Sequence, residues 1–396
     1  MTTPLIQNLA RTRLSQRVQD VPPSGIRKFF DVLNSMPDVI SLGVGEPDFD
    51  TPTQVVEAGV AALRAGRTHY SSNYGTTELR LALAAHLERL YGVDYDPTRE
   101  LLITIGASEA LAIAMAALVD PGDEVIVVEP SYVAYVPSVV FSGGIPVSVP
   151  TRPEDDWQPD PDAVEAAITP RTKVLFLGYP CNPTGAVLEP ETKRALAALA
   201  ERHDLVVVSD EIYDQLVYGG HRHEAFSALP GMRDRTILLG GFSKAYAMTG
   251  WRIGYACAPA DLLEGMLKVH QYAIMSAPTM AQDAALVALT QADDDVQRMR
   301  EEYDRRRRMF VAGLRQIGLP TVEPRGAFYA FPDIRRTGIS SDQFAEQLIY
   351  DEHVAVVPGS AFGATGEGYV RASLATSYAN LEEALVRIGR FVAARA

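Results

Sequence analysis

The chain has 396 residues, 47% of them hydrophobic and 22% charged, enough to bury a large core divided between two lobes. Its formal net charge of −14 argues against nucleic acid or an anionic membrane as the main partner, because either would repel it. The two cysteines, Cys181 and Cys257, are too few for a disulfide framework and fit a reducing compartment, and no run of eighteen apolar residues occurs, so a cytoplasmic protein is expected.

In chain order, the first twenty residues carry Arg11, Arg13 and Arg17 before the first acid, Asp20, and read as a structured N-terminal arm rather than a transit peptide. A helix is expected over "VVEAGVAALRAG", with Thr51 as cap, Pro52 at its first position, Gln54 completing a capping box and Gly66 near the exit. Short apolar runs then alternate with amphipathic segments: "LLITI" (101–105), "EVIVV" (124–128), "KVLFL" (173–177), "LVVV" (205–208) and "TILL" (236–239). These predict the buried strands of a largely parallel sheet with helical crossovers.

Near residue 290 the periodicity changes. A long charged helix over "DDDVQRMREEYDRRRRMFVAGLRQIG" is followed by strand-like "GAFYAFP" (326–332) and "VAVVPG" (354–359), then by a helix from about Leu381. Acids four residues before Arg305, Arg306 and Arg308 make the arginine run read as a solvated, ion-paired face. The expected fold class is α/β, with residues 1–50 as N-terminal arm and part of the small domain, 51–290 as large domain and 291–396 as a smaller α+β domain.

In open α/β sheets ligands sit beyond the carboxyl ends of the strands. Reading those ends, "GASEAL" offers the free N–H groups of Ala107 and Ser108 at a helix start, suited to a phosphate. Tyr132 follows the second run, Asn182 the third, Asp210 and Tyr213 the fourth, and Ser243 and Lys244 the fifth. Each alone has a plain explanation as turn, helix cap or surface residue; together they describe a cofactor site. "GVGEPD" carries Asp48 where a dinucleotide fingerprint needs its third glycine, and "HRH" (221–223) reads as an exposed loop with no further ligand cluster, so no metal is expected.

The stretches "SLGVGEPDF", "YPCNPTG", "SDEIY", "GFSKAYAMTGWRIGY", "VAVVPGSAFG" and "GEGYVRASLAT" resemble the class I/II aminotransferases, pyridoxal-phosphate enzymes of fold type I, over nearly the whole chain. The resemblance implies a large domain with a mainly parallel seven-stranded sheet. It implies that Lys244 bonds covalently to the cofactor aldehyde and later carries a proton to and from the substrate α-carbon. It likewise gives Asp210 to the pyridine nitrogen, Asn182 and Tyr213 to the ring oxygen, and Tyr132 to the ring face. Arg252, Ser243, Ala107 and Ser108 fall to the phosphate, joined by Tyr70 from the second subunit of a homodimer. Gly241 stands where many relatives place a second phosphate-binding serine.

For the substrate, the resemblance implies that Arg371 clamps the α-carboxylate, aided by Gly45 and Asn182. Ser108 occupies a position where certain aspartate-specific relatives carry a lysine, and "GIRKFF", "EYDRRRR" and "GLPTV" look most like the aromatic subgroup. The expected reaction moves an amino group from an aromatic or bulky neutral amino acid to 2-oxoglutarate; broad, aspartate or diaminopimelate-type aminotransferases and a C–S lyase are the alternatives. Phe328 and Tyr329 are candidates for shaping the side-chain pocket or for plain core packing.

Overall fold

The computed structural model describes residues 13–23, 36 and 38–395, so Arg11, "GIRKFF" and much of the expected N-terminal arm lie outside the described residues. After a four-residue helical turn at Gln16–Gln19, the described chain forms β1 (Ile40–Ser41), α1 (Thr53–Arg64) and α2 (Thr77–Tyr91). It continues through β2 (Leu101–Thr104), α3 (Gly106–Leu118), β3 (Glu124–Glu129), β4 (Ile145–Pro150), β5 (Thr172–Gly178), α4 (Pro190–Arg202), β6 (Val206–Asp210), β7 (Thr236–Gly241) and β8 (Gly254–Cys257). Helices α5 (Ala260–Ala273) and α6 (Thr279–Gln291) close this part.

Strands β2 to β8 form one seven-stranded sheet in the order β2-β8-β7-β6-β5-β3-β4. All five apolar runs are strands of it, and their side chains are almost wholly buried because helices cover both faces. Two strands escaped the sequence reading. β4 is a sheet edge with mostly part-exposed residues, and β8 is only four residues long and antiparallel to both of its neighbours. The antiparallel β8 matters for function: the chain leaves the carboxyl edge after β7, and β8 starts again at that same edge, with Gly241 paired to Gly254.

The remainder is built from α7 (Asp293–Gln316), β9 (Tyr329–Ala330), α8 (Ser341–Glu352), β10 (Val354–Ala355), β11 (Val357–Pro358), β12 (Val370–Ser373) and α9 (Tyr378–Ala393). β11, β12 and β9 make an antiparallel three-stranded sheet, while β10 pairs in parallel with β1. Leu42, Tyr303, Phe310, Phe328, Phe344, Leu381 and Phe391 share the core behind these strands, so residues just after β1 pack with the C-terminal part of the chain. Among the described residues no helix is long and apolar enough to cross a membrane.

Three local expectations are corrected. Thr51 does not cap α1: its hydroxyl donates to the Ala247 carbonyl at 2.6 Å, and Gln54 reaches Asp295 at 2.6 Å, so tertiary partners take both polar groups. The arginine run is not one solvated face: Arg305 and Arg308 are exposed, whereas Arg306 and Arg307 are buried and ion-paired to Asp48 and Glu323 respectively. His223 is not a bare loop residue either, since its Nε2 lies 2.6 Å from the buried Glu211 carboxylate.

Candidate functional site

The carboxyl edge of the large sheet faces a cavity of about 460 Å³. Lys244 reaches it from the loop after β7, and its Nζ donates to the Gly45 carbonyl at 2.5 Å. Burial, with Arg371 as the next contributor, lowers the lysine to about 8, so its neutral form is far more populated near neutral pH than that of an ordinary lysine. Asp210, the last residue of β6, lies in the cavity wall. Burial raises its carboxyl to about 6, opposed by a 2.9 Å hydrogen bond from the Tyr135 hydroxyl and a 3.2 Å bond from the Ile212 N–H.

At one end of the cavity the first turn of α3 presents Ala107 and Ser108 without a side-chain cap. Arg252 stands opposite in a left-handed backbone conformation, exposed to the cavity and donating from Nη1 to the Thr249 carbonyl at 2.9 Å. Gly106, at φ +69°, permits this approach: a β-carbon there would meet the Arg252 Nη2 at 2.9 Å. Two free backbone donors at a helix N-terminus, a buried serine (Ser243) and a guanidinium with spare hydrogens form a receptor for a phosphate dianion. Gly241 keeps Ile212 and the β8 backbone close, since a β-carbon there would lie 3.0 Å from Ile212 Cδ1 and 3.2 Å from Gly254 Cα. A second phosphate-binding serine at 241 would therefore need its neighbours to move.

At the other end Arg371, on β12, is 3% exposed. Its Nη1 donates to Asn182 Oδ1 at 2.9 Å and its Nη2 to the Gly43 carbonyl at 2.6 Å, while Nε is buried without a partner. The guanidinium lies 4.4 Å from the Tyr329 ring centre and 5.0 Å from that of Phe362. Tyr329 also shares a 2.8 Å hydrogen bond between its hydroxyl and that of Tyr213, and burial pushes the Tyr213 phenol well above its ordinary range. Gly45 is the residue that fits here, because a β-carbon would come within 2.6 Å of the Tyr329 hydroxyl.

The cavity thus gathers Gly45, Ala107, Ser108, Tyr132, Asn182, Asp210, Tyr213, Ser243, Lys244, Arg252 and Arg371 from the sequence-based set. Tyr70 stands apart, 81% exposed and outside the lining. The Phe328/Tyr329 alternative splits: Tyr329 lines the cavity, while Phe328 is buried in the core against Tyr213 and Tyr303. Sequence reading missed Tyr135 and Glu46. Tyr135 follows Tyr132 by three residues across a turn in which its N–H donates to the Tyr132 carbonyl at 3.1 Å, keeping both near the end of β3; Glu46 adjoins Gly45 and accepts a hydrogen bond from Thr249 at 3.2 Å. Among the described residues no group of three or more candidate metal ligands occurs.

A single lysine, a buried carboxylate and two arginines lining one cavity are the kinds of group a pyridoxal-phosphate enzyme needs. The sequence matches the family model of class I and II aminotransferases over residues 37–388. An aspartate aminotransferase of Pyrococcus abyssi is 45% identical over 377 residues, covering 95% of this chain and 97% of the relative. Aromatic-amino-acid aminotransferase 2 of Thermococcus litoralis shows the same 45% identity and coverage. The crystal structure of an aromatic aminotransferase from Pyrococcus horikoshii superposes with a TM-score of 0.89 at 45% identity, covering 93% of this chain and 99% of that one. The chain belongs to the class I and II aminotransferases, pyridoxal-phosphate-dependent transferases of fold type I.

Proposed function

We propose that this aminotransferase takes the amino group from an aromatic or bulky neutral L-amino acid and delivers it to 2-oxoglutarate. One observation carries the donor preference: the cavity lining holds three cations among the described residues, Lys244, Arg252 and Arg371, and each has a task on the shared part of the reaction. Among the described residues no fourth cation lines the cavity for a side-chain carboxylate, and Glu46 in the lining opposes one. In this reading 2-oxoglutarate binds through its α-carboxylate and keeps the distal one hydrated at the mouth.

The bound cofactor supplies an electrophilic carbon for the amino group and a ring that draws electrons from the substrate α-carbon. Lys244 holds the cofactor covalently and, once displaced by substrate, moves the proton at the substrate α-carbon through its Nζ. Its lowered proton affinity suits both tasks. Asp210 pairs with the ring nitrogen, and Tyr135 keeps that carboxylate ionised by donating to it. Asn182 and Tyr213 serve the ring oxygen, Tyr132 packs on the ring, and Ser243, Ala107, Ser108 and Arg252 hold the phosphate.

Arg371 takes the substrate carboxylate in its planar fork, with Asn182 and the Gly45 N–H beside it, fixing the α-hydrogen relative to Lys244. Homodimerisation with Tyr70 reaching the partner's phosphate site, and a cytoplasmic setting, belong to the same proposal. An equally similar relative named as an aspartate aminotransferase makes aspartate the competing donor.

The test is a half-reaction. Phenylalanine, tyrosine, glutamate and aspartate are added singly to the holoenzyme while its visible absorption is followed, and 2-oxoglutarate is then added. Loss of the visible band with phenylalanine or tyrosine at concentrations well below those needed for aspartate, and its return with 2-oxoglutarate, is the expected result. A band that responds first to aspartate replaces the aromatic reading; release of ammonia or of a thiol replaces transamination with lyase chemistry.

A further inference from the structure

The segment that carries Gly45 and the strand that carries Arg371 are joined by one buried side chain that sequence reading had placed in solvent. Arg306, on α7, is 5% exposed. Its Nη1 donates to both oxygens of Asp48, at 2.8 and 3.0 Å, and to the Leu374 carbonyl at 3.3 Å. Its Nε donates to Glu302 Oε1 at 2.8 Å, and the rings of Phe49 and Tyr303 lie 5.2 and 5.6 Å from its guanidinium carbon. Asp48 follows Gly45 by three residues, and Leu374 follows Arg371 by three.

The two segments meet at further points. The Ser373 N–H donates to the Leu42 carbonyl at 2.7 Å, and Arg371 donates to the Gly43 carbonyl at 2.6 Å. Those bonds tie the start of the 42–48 segment to β12; its far end is tied to the chain beyond β12 only through Arg306, among the hydrogen bonds described. Glu302 holds the guanidinium from its Nε side, so the plane that presents Nη1 is fixed from the helix. A lysine has the charge but neither the plane nor a second donor row to satisfy Glu302 and the Asp48–Leu374 pair together.

We propose that Arg306 is a positioning residue for substrate: through Asp48 and Leu374 it sets the separation of Gly45 from Arg371, and with it the geometry of the α-carboxylate site. The inference rests on the reading of Gly45 and Arg371 as that site. Arg306 lies outside the cavity lining. Its effect is therefore selective. A displacement of the 43–48 segment by about 1 Å relative to Arg371 costs up to about a hundredfold in recognition, while Arg252 and the α3 N-terminus, on the large sheet, keep their hold on the phosphate.

The experiment compares two probes on the holoenzyme, 3-phenylpropionate and its neutral amide, titrated against the visible absorption of wild type, R306K and D48N. The wild type is expected to bind the acid more tightly than the amide. Both variants are expected to bind the acid at least about tenfold more weakly, with amide binding and cofactor affinity unchanged and with KM rising more than kcat falls. If R306K fails to fold, D48N, which preserves the side-chain shape, decides alone. Wild-type acid binding in a folded variant overturns the proposal, and so does parallel loss of acid and amide, which marks general loosening. A wild-type enzyme that does not distinguish acid from amide overturns the carboxylate reading itself, and the proposal with it.

Discussion

Two arginines mark the ends of the cavity, and their surroundings are opposite. Arg252 follows a turn at the large sheet, is exposed, and spends one donor on the nearby Thr249 carbonyl. Arg371 is buried, braced by Asn182, Gly43 and two aromatic rings. On the proposed assignment, the difference follows from what each end would hold. A phosphate that stays bound through every turnover is gripped by many donors at once, and an open guanidinium suffices as one of them. A substrate carboxylate that arrives and leaves each cycle must find its fork already oriented, so the cost of ordering Arg371 is met by the fold rather than by binding.

The change with the largest expected effect abolishes the contrast. Lys244→Ala removes the group between the two ends, and turnover is expected to fall by about 10⁵-fold or more, measured by single-turnover absorbance with the preferred amino acid; retained exchange would sink the assigned chemistry. Asp210→Asn is expected to lower kcat by about 10³-fold while changing stability in the opposite sense. Burial raises the folded carboxyl from 3.8 to about 6, so the folded state binds the proton more tightly than the unfolded one. That contribution is fully present below pH 3.8 and is lost as pH rises through 6. At neutral pH the buried charge costs on the order of 3 kcal/mol. The cofactor-free variant should therefore melt higher than wild type at pH 8 and lose most of that advantage towards pH 4; a Tm difference independent of pH would contradict it.

The smallest pair of effects sharpens the comparison directly. Arg371→Lys is expected to lower kcat/KM by about a hundredfold with cofactor affinity unchanged. Arg252→Lys is expected to weaken cofactor binding by about tenfold with the amino-acid KM nearly constant. Fluorescence titration of cofactor and steady-state kinetics on both variants read the two quantities separately. If each variant moved both quantities equally, the two ends would act as one unit and the contrast would be false.

That the residues proposed for the phosphate line one cavity was legible because they lie in one short stretch and at strand ends, where chain order predicts spatial order. Lys244, Asp210 and Asn182 follow apolar runs whose strand character is plain, and the cavity gathers all three. Arg306 was not legible as part of a run of four basic residues with acids one turn earlier, a pattern that ordinarily marks solvent. The available signal was helical phase: Tyr303, Arg306 and Phe310 recur at spacings of three and four, placing Arg306 on the apolar stripe. Its partner Asp48 lies 258 residues away in the sequence, and only tertiary packing brings the two together. Thr51 and Gln54 show the same limit on a smaller scale, since local capping lost to distant acceptors.

The antiparallel return of the chain through β8 also sets how this segment can vary. Gly241 and Gly254 are paired, so the twelve residues from 242 to 253 form a tether of fixed length between two registered strands. One residue added or removed there would either strain the tether or slip β8, and a slip of one turns each of its side chains to the opposite face. The segment is thus open to exchange of side chains and closed to insertion or deletion. Changes of chain length belong instead to loops such as 218–224, whose tip, Gly219–Gly220, is exposed.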